Sequence, residues 1–349
     1  MGLFYKLIFY TTEELNLPSQ SEYPAMFSTF FTPLDDLAIL ELTGAQPAQL
    51  LQGQITADLN LVTPTQALPA LLCDLKGRVV SSFEVVYLGS NHLALILPSS
   101  SLPAVESHLA KYQPFFKTKI QNTTANYQLL GLSGKEAPAL ISSLIGTWPK
   151  QEYHQALTDL GLVLNLPGPQ PRALILLRQN DPAAITTVEK LTSLTNKADT
   201  DCWHLLDIKT GRAQVDARLA TTYLPQMLNC QATGAVSFKK GCYIGQEIVA
   251  RAQFRGQVKR RLYRGHLPTS LRPGLPAGVY DAKGKQQGEI IQLAADRRGE
   301  FEALAVINTK AIEEELALFA NPELSIKFIV LKLPYDPASR TELHLKPES

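Results

Sequence analysis

Strand-like and helix-like segments follow one another along this chain in a mixed order that constrains its fold class. Apolar and β-branched residues indicate strands at residues 67–72, 79–87, 126–132, 162–166 and 173–177. Apolar periodicity indicates helices at residues 46–52, 102–111, 137–145 and 183–195. Gly77 lies between the first two strands, which predicts a hairpin. Because the two kinds of segment do not alternate strictly, the sequence predicts an α+β fold rather than a doubly wound sheet.

The length of the chain and the spacing of its turn residues predict more than one domain. The chain has 349 residues, 45% hydrophobic and 19% charged, which is enough for a large core and two or three domains. After Gly256, Gly, Pro and Asp turns separate strand candidates at 261–266, 278–280, 288–292 and 302–307, as is typical of a small β-sandwich or β-barrel. We therefore expect an N-terminal lead at 1–24, a body at 25–255 and a C-terminal β-barrel domain at 256–349.

Several functional classes find no support in the sequence. The longest apolar runs, such as residues 93–98, are far shorter than the ~20 residues of a membrane span. The apolar start of the chain lacks a cleavage pattern, so we expect a cytoplasmic protein. The four cysteines and six histidines have neither the close spacing of a zinc site nor the density of a disulfide scaffold. We therefore expect no membrane association and no metal site within the chain.

Residues 239–251 place a single thiol between two glycines, just ahead of a predicted helix. The helix is expected to begin near Gly245, with Gln246 and Glu247 in its first turn. Cys242 would then lie near the positive end of the helix dipole, which favours a thiolate over a thiol. Glycines at this spacing also suit a backbone that approaches a ligand. The alternative is a buried free cysteine that packs as a small hydrophobe.

Four segments in this chain resemble the blocks of a known family. Residues 240–247 read K-G-C-Y-I-G-Q-E, which resembles the signature of the folate-binding YgfZ family, relatives of the glycine-cleavage aminomethyltransferase that support iron–sulfur enzymes. In the family's order, residues 51–59 read L-Q-G-Q-I-T-A-D-L, residues 73–79 read C-D-L-K-G-R-V, and residues 225–229 read P-Q-M-L-N. The cysteine motif is the most specific of these blocks.

The resemblance implies an aminomethyltransferase-like fold, with two interleaved ferredoxin-like lobes around a central channel and a C-terminal β-barrel. It also implies a site for tetrahydrofolate or a one-carbon derivative, with Cys242 as the catalytic thiol. Such a site needs a flat apolar slot, hydrogen-bonding groups for the pterin edge and cations for the glutamate tail. The motifs offer Tyr243 beside the ring, Gln54, Asp58 and Gln226 as hydrogen-bonding groups, Lys76, Arg78, Lys240 and Arg251 as cations, and Gln246 and Glu247 at the helix start. For each of these residues, the alternative is a capped turn or a surface charge.

Positive charge is concentrated in residues 239–264. This segment contains eight Lys or Arg residues and a single acid, Glu247, although the whole chain has a net charge of +1. Such a segment attracts anions, such as the glutamate tail of folate or a phosphate backbone. Tyr243, Phe254 and Tyr263 lie among the charges and suit either a heteroaromatic ring or nucleic-acid bases. The alternative is a solvated helix face followed by an edge strand that its charges protect.

The sequence departs from the related aminomethyltransferases at two places. Where those enzymes have an acidic pair after the glycine turn, this chain has Ser81 and Ser82, and a hydroxyl without a base cannot replace a carboxylate in proton transfer. Where they have a glutamate for pterin recognition within R-L-E-A-G, residues 208–211 read I-K-T-G. Both departures argue against glycine cleavage and favour a YgfZ-type role.

The leading hypothesis is a cytoplasmic tetrahydrofolate-binding protein that uses Cys242 to support assembly or repair of iron–sulfur clusters and, through it, tRNA-modifying cluster enzymes. Its expected partners are folate and iron–sulfur assembly proteins or cluster-containing enzymes, without direct nucleic-acid binding. One alternative is an enzyme, a folate-dependent one-carbon transferase that uses Glu84 or Asp216 as its carboxylate. Another is a non-catalytic RNA-binding adaptor that uses residues 239–264, although the chain lacks an RNP-type aromatic motif.

Overall fold

A computed structural model of the chain describes residues 28–337. Its strands are β1 (Phe30–Pro33), β2 (Leu37–Gly44), β3 (Leu68–Cys73), β4 (Val79–Gly89), β5 (His92–Pro98), β6 (Thr118–Asn122), β7 (Tyr127–Ser133), β8 (Gln155–Thr158), β9 (Gly161–Asn165), β10 (Arg172–Arg178), β11 (Asn196–Lys197), β12 (Arg260–Leu267), β13 (Ala277–Asp281), β14 (Gln286–Ala295), β15 (Phe301–Asn308), β16 (Leu318–Phe319) and β17 (Ile329–Leu331). Its α-helices are α1 (Pro47–Gln52), α2 (Leu102–Ala110), α3 (Ala137–Leu144), α4 (Pro182–Leu194), α5 (Thr200–Thr210), α6 (Gln246–Phe254) and α7 (Thr309–Glu313). The expected lead at residues 1–24 lies outside the described residues.

Two sheets in the first part of the chain have strands that are interleaved in sequence. Strands β2 to β6 form a five-stranded antiparallel sheet in the order β3-β4-β5-β2-β6. Strand β1 instead joins a six-stranded sheet in the order β11-β1-β7-β10-β9-β8, where it pairs antiparallel with β7 and parallel with β11. The chain therefore leaves the six-stranded sheet after one strand, completes the five-stranded sheet and then returns.

Local sequence explains most of these elements. Buried and half-buried residues alternate over most of β4, as expected for a strand with one face on the core. Strand β3 is buried along its whole length yet tolerates Pro69, because it is an edge strand of its sheet. Helix α4 begins after Asp181, whose carboxylate accepts hydrogen bonds from the amides of Ala183 and Ala184.

The last part of the chain forms a third sheet, a curled antiparallel half-barrel in the order β16-β13-β14-β15-β12-β17. Helix α5 packs against β14 and β15 of this sheet and also against β1. One hydrophobic core joins the β3–β4 hairpin, α5, α6 and the third sheet, and its buried members include Val79, Ile208, Cys230, Val249 and Leu304. This shared core fixes the relative positions of the segments that carry the sequence motifs.

The strands and helices expected from the sequence are confirmed, with ends that differ by a few residues. The sequence gives no prediction of α5. Its buried residues Trp203, Leu205, Leu206 and Ile208 do not form one stripe, because the helix is enclosed by strands of two sheets. None of the helices between residues 28 and 337 combines the length and hydropathy that a bilayer crossing requires.

Candidate functional site

Segments that are far apart in sequence meet around residues 238–245, which we call the cysteine loop. On one side, the hydroxyl of Thr56 donates a hydrogen bond to the carbonyl of Ala235 at 2.5 Å. The amide of Ser237 donates to the carbonyl of Thr56 at 2.9 Å. The segments that surround the loop are residues 51–59, 73–79 and 225–229, which are the other three motif blocks. The fold therefore assembles all four blocks at one place.

Lys240 attaches the cysteine loop to the block at 51–59. Its ammonium donates hydrogen bonds at 2.7–2.8 Å to three backbone carbonyl oxygens, those of Gln52, Ile55 and Ala57. Burial lowers the pKa of Lys240 to about 8, while the Asp58 carboxylate opposes part of the shift. The ammonium also lies 5.3 Å from the centre of the Tyr243 ring. All three N–H donors of the ammonium are used within the protein, which gives Lys240 a structural role. The expected role of Lys240 in binding the glutamate tail of folate stays a prediction.

Two glycines allow the turn at 73–79 to pack directly on the start of α6. Gly77 and Gly245 both have positive φ, +69° and +82°. A Cβ on Gly245 would lie 2.4 Å from the carbonyl oxygen of Asp74, and a Cβ on Gly77 would lie 3.0 Å from the side-chain Cβ of Ile248. The close approach that the sequence led us to expect toward a ligand is thus made by Gly245 toward another backbone. At Gly241 a Cβ would meet nothing within 4 Å.

Cys242 lies exposed on the cysteine loop, so it is not the buried hydrophobe of the alternative reading. Helix α6 begins where the sequence predicts, after a left-handed N-cap. The side-chain amide of Gln226 donates to the carbonyl of Val249 at 2.8 Å and holds this helix. That of Asn229 donates to the carbonyl of Leu262 at 2.8 Å and holds the third sheet. The block at 225–229 therefore connects α6 to the third sheet.

The other two expected hydrogen-bonding residues, Gln54 and Asp58, also bond within the protein. The Oε1 atom of Gln54 lies 2.9 Å from the Nε2 atom of His108. The carboxylate of Asp58 accepts from the side-chain amide of Gln52 at 2.9 Å and from the amide of Asn60 at 3.1 Å. Both side chains thus hold the block at 51–59 in shape.

The expected cations and the first turn of α6 are more open to solvent. Lys76, Glu247 and Arg251 are exposed, and Gln246 is half-buried. Arg78 is also half-buried, and its guanidinium donates to the carbonyl of Thr222. These residues surround the cysteine loop and the adjoining turn.

A central cleft lies where the two interleaved sheets meet α5. Its cavity volume is only about 70 Å³, so the cleft is narrow. Its walls are mainly apolar, and its polar lining residues are Ser82, Glu84, Asp207, Arg212, Gln214 and Thr233. Neither Cys242 nor any of the ten expected folate-binding residues lines this cleft within residues 28–337. The structure therefore separates the thiol from the central cleft.

Charged side chains form a balanced network at the floor of the cleft. Glu84 pairs with Arg212, and Arg172 donates to Asp207 at 2.7 Å. Arg212 also lies 3.5 Å from Asp207, and the guanidinium of Arg172 lies 5.0 Å from the centre of the Trp203 ring. Two positive and two negative groups compensate one another, as buried charges must.

The same network sets the ionisation of its carboxylates. Burial raises the pKa of Glu84, and Arg212 opposes this shift. Burial would also raise the pKa of Asp207, but Arg172 and Arg212 outweigh it, so the pKa is lowered. Of these four residues, only Glu84 was expected from the sequence to contribute to a site. The available signal was a charged residue within an apolar strand, as at Glu84 and Arg172, because such a charge has to be paired.

Both segments that depart from the aminomethyltransferases form bonds within the protein. The hydroxyl of Ser82 accepts a hydrogen bond from the amide of Val215 at 2.8 Å, which fixes the chain beside the cleft. Lys209, in the segment that aligns with the transferase glutamate, forms an ion pair with Glu302 at 3.0 Å in the third sheet. Neither side chain offers a carboxylate to the cleft.

One group of side chains in the third sheet has the composition of a cation site. Potential ligand atoms of His266, Asp296 and Glu300 lie within 4.8 Å of one another in the described part of the chain. His266 is already 3.1 Å from Glu300, and Asp296 accepts hydrogen bonds from the amides of Arg298 and Glu300. These bonds explain why the three side chains lie together, since they stabilise the turn that contains Asp296 and Glu300.

The fold defines the class of protein. The structure resembles the aminomethyltransferase T of the glycine cleavage system from Bartonella henselae, with a TM-score of 0.71 over 91% of this chain and 88% of that chain. The sequence identity is 13%, so this likeness shows the fold alone. It confirms the expected α+β, aminomethyltransferase-like fold.

Sequence relatives define the family. The "tRNA-modifying protein YgfZ" of Colwellia psychrerythraea is 33% identical over 300 residues, 84% of this chain and 86% of that protein. A protein of the same name from Yersinia pestis is 36% identical over 230 residues, 66% of this chain and 68% of that protein. No protein-family model matches the chain. The chain belongs to the YgfZ family, as its four motif blocks predict.

Substitution of Gly245 tests the close approach of the two backbones. We expect Gly245→Ala to lower the free energy of unfolding by about 2–4 kcal/mol, because alanine is strained at positive φ and its Cβ meets Asp74. Gly241→Ala, in the same loop, is the matched control and should change it by less than about 0.5 kcal/mol. Urea denaturation measures both, and equal values for the two variants would contradict the proposed contact.

Substitution of Lys240 tests the attachment of the cysteine loop. Lys240→Met should destabilise the protein by about 2–4 kcal/mol, because three carbonyl groups lose a charged donor. Lys239→Met is the matched control, since its side chain is exposed, and we expect about 0.5 kcal/mol or less. Urea denaturation curves give the free energy of unfolding of both variants. If Lys240→Met lost no more stability than Lys239→Met, Lys240 would not have this structural role.

Proposed function

We propose that this protein binds tetrahydrofolate or a one-carbon derivative in the central cleft and uses Cys242 to support assembly or repair of iron–sulfur clusters. Through that support it would sustain cluster enzymes that modify tRNA, in keeping with the name of its relatives. The observation that carries the proposal is the exposed cysteine of the family motif, on a loop that Lys240 attaches to another motif block, in a protein with an aminomethyltransferase-like fold. Membership of the family supports each part.

The cleft has the chemistry that a pterin ring needs. Trp203 and Phe83 offer apolar surface for a flat ring. Glu84 offers a hydrogen-bond acceptor and Arg212 a donor, side by side, which matches the mixed donor and acceptor edge of a pterin. Because the cleft is narrow, side chains at its mouth would have to move for a ring to enter.

Glu84 can take the place of the glutamate that the transferases use for pterin recognition. The segment where that glutamate would stand carries Lys209, which pairs with Glu302 instead. Glu84 reaches the same cleft from β4, and Arg212 holds its carboxylate in place. We infer that Glu84 recognises the ring in this chain and that Arg212 orients Glu84.

The thiol is proposed to act outside the cleft. Cys73 and Cys230 are buried, and burial together with Asp199 raises the pKa of Cys202. Cys242 is exposed on a loop with neighbouring cations. It is therefore the cysteine best suited to hold an iron or sulfur atom transiently or to react with an oxidised species.

A second candidate is a one-carbon transferase that uses Glu84 as its base. The observation in its favour is that Glu84 lies in the cleft and that burial raises its pKa. The other carboxylate considered, Asp216, is paired with Arg218 at 2.9 Å and does not line the cleft. Incubation with tetrahydrofolate and methylamine donors discriminates the two functions, because only a transferase forms methylenetetrahydrofolate.

Substitution of Cys242 tests the role of the thiol. Cys242→Ser should bind tetrahydrofolate as the wild type does, because the thiol lies outside the cleft. In cells that lack the native copy, it should fail to restore the nucleoside modifications made by cluster-containing tRNA enzymes, measured by mass spectrometry. Cys202→Ser is the matched control and should restore them. Full modification in cells with Cys242→Ser would remove the thiol from the function.

Substitution of Glu84 tests the cleft as the folate site. Glu84→Gln should weaken tetrahydrofolate binding by about 10- to 100-fold, because a charged acceptor is lost and Arg212 keeps only its longer ion pair with Asp207. Anaerobic calorimetric titration measures this, and urea denaturation verifies that the variant is folded. Asp216→Asn, outside the cleft, should bind as the wild type does. Unchanged binding by a folded Glu84→Gln would place folate elsewhere.

A further inference from the structure

Exposed apolar side chains gather near the cysteine loop. Leu75 is 82% exposed, Ile248 is 38% exposed and Phe254 is 60% exposed. Single exposed apolar residues are common on protein surfaces, but a group of them beside one another marks an interaction site. These three residues are therefore candidates for an interaction site near Cys242.

Helix α6 presents one continuous face to solvent. Its exposed residues are Glu247, Ile248, Arg251 and Phe254. Arg255, which directly follows the helix, is also exposed. At 3.6 residues per turn, these positions fall within an arc of about 120°. Val249 and Gln253 point the other way and are buried. The apolar and basic side chains thus share one side of the helix.

The turn at 73–79 and the cysteine loop extend this face. Gly77 approaches Ile248, so the tip of the turn, with Leu75, lies beside the start of α6. The ring of Phe238 packs edge-on against that of Phe254, with 5.3 Å between their centres. The cysteine loop therefore begins near the end of α6 and returns to its start. Cys242 is exposed within this loop, between Phe238 and Gly245.

The charge of this surface indicates what it binds. Its exposed charged residues are the cations Lys76, Lys239, Arg251 and Arg255 and the single carboxylate of Glu247. A phosphate backbone would match the cations but would gain nothing from Leu75 and Ile248. Apolar residues bordered by charges are typical of protein interfaces, and the excess of cations complements an acidic surface.

We propose that this surface, formed by Leu75, Ile248, Phe254 and the four cations, docks an acidic partner protein and brings it to Cys242. The partner would present apolar side chains surrounded by Asp and Glu. Docking needs neither folate in the cleft nor the thiol itself. It can therefore be tested separately from the proposed function.

Site-specific crosslinking identifies the partner in the cell. A photoreactive phenylalanine analogue is placed at position 254 in the full-length protein, and at position 194 as a control, because Leu194 is 59% exposed on α4. Proteins captured at position 254 but not at 194 are identified by mass spectrometry. Each captured protein is then purified and titrated against the wild type by calorimetry.

The titrations decide the proposal. Leu75→Ser, Phe254→Ser and Arg251→Glu should each weaken binding of an acidic captured protein at least tenfold, with increasing loss at higher salt for the wild type. Cys242→Ser and the control substitutions Leu194→Ser and Lys190→Glu should bind as the wild type does. Failure of every captured protein to bind directly would overturn the proposal, as would equal binding by all variants.

Two other occupants give distinct results. If the surface binds RNA, fluorescence anisotropy with a transfer RNA should show binding that Arg251→Glu abolishes and Leu75→Ser leaves unchanged. If it binds a second copy of this chain, sedimentation should show a dimer that Phe254→Ser dissociates. Either result would overturn the proposal of an acidic protein partner.

Discussion

The ammonium of Lys240 makes the interaction on which the candidate site depends. It joins the carbonyl groups of Gln52, Ile55 and Ala57 to the loop that carries Cys242, although these segments are almost two hundred residues apart in sequence. A buried ammonium needs several acceptors, and the three carbonyl groups supply them. The same contact satisfies the carbonyl group at the end of α1 and two carbonyl groups of the segment that follows it. One side chain therefore holds two motif blocks together and keeps the thiol at the surface.

A second arrangement of charges shapes the cleft. Glu84 and Arg212, together with Arg172 and Asp207, place two pairs of opposite charges at its floor. Removal of one member would leave an uncompensated charge in an apolar environment, so the four act as a unit. Within this unit, Glu84, Asp207 and Arg212 line the cleft. The network thus gives a polar floor to an otherwise apolar slot.

The separation of Cys242 from the cleft changes how the two can cooperate. The sequence suggests a thiol close to a bound folate, but the cleft is lined by other residues. The central hydrophobic core, which contains members of the β3–β4 hairpin and of α6, lies between them. A ligand that opened the narrow cleft would therefore act on the thiol through this core. The exposed face beside Cys242 is then free to meet a partner while the cleft is filled.

The sequence by itself determined the fold class, most of the strands and helices, and the membership of four motif blocks in one family. Those features depend on residues close together in the chain: apolar periodicity, turn glycines and short motifs. It could not assign the ion pairs of Glu84 and Lys209 or the bonds of Lys240, because each depends on partners distant in sequence. Helix α5 escaped prediction for the same reason, since its neighbours come from two sheets. Only the tertiary structure decided which motif residues bond within the protein and which are exposed at its surface.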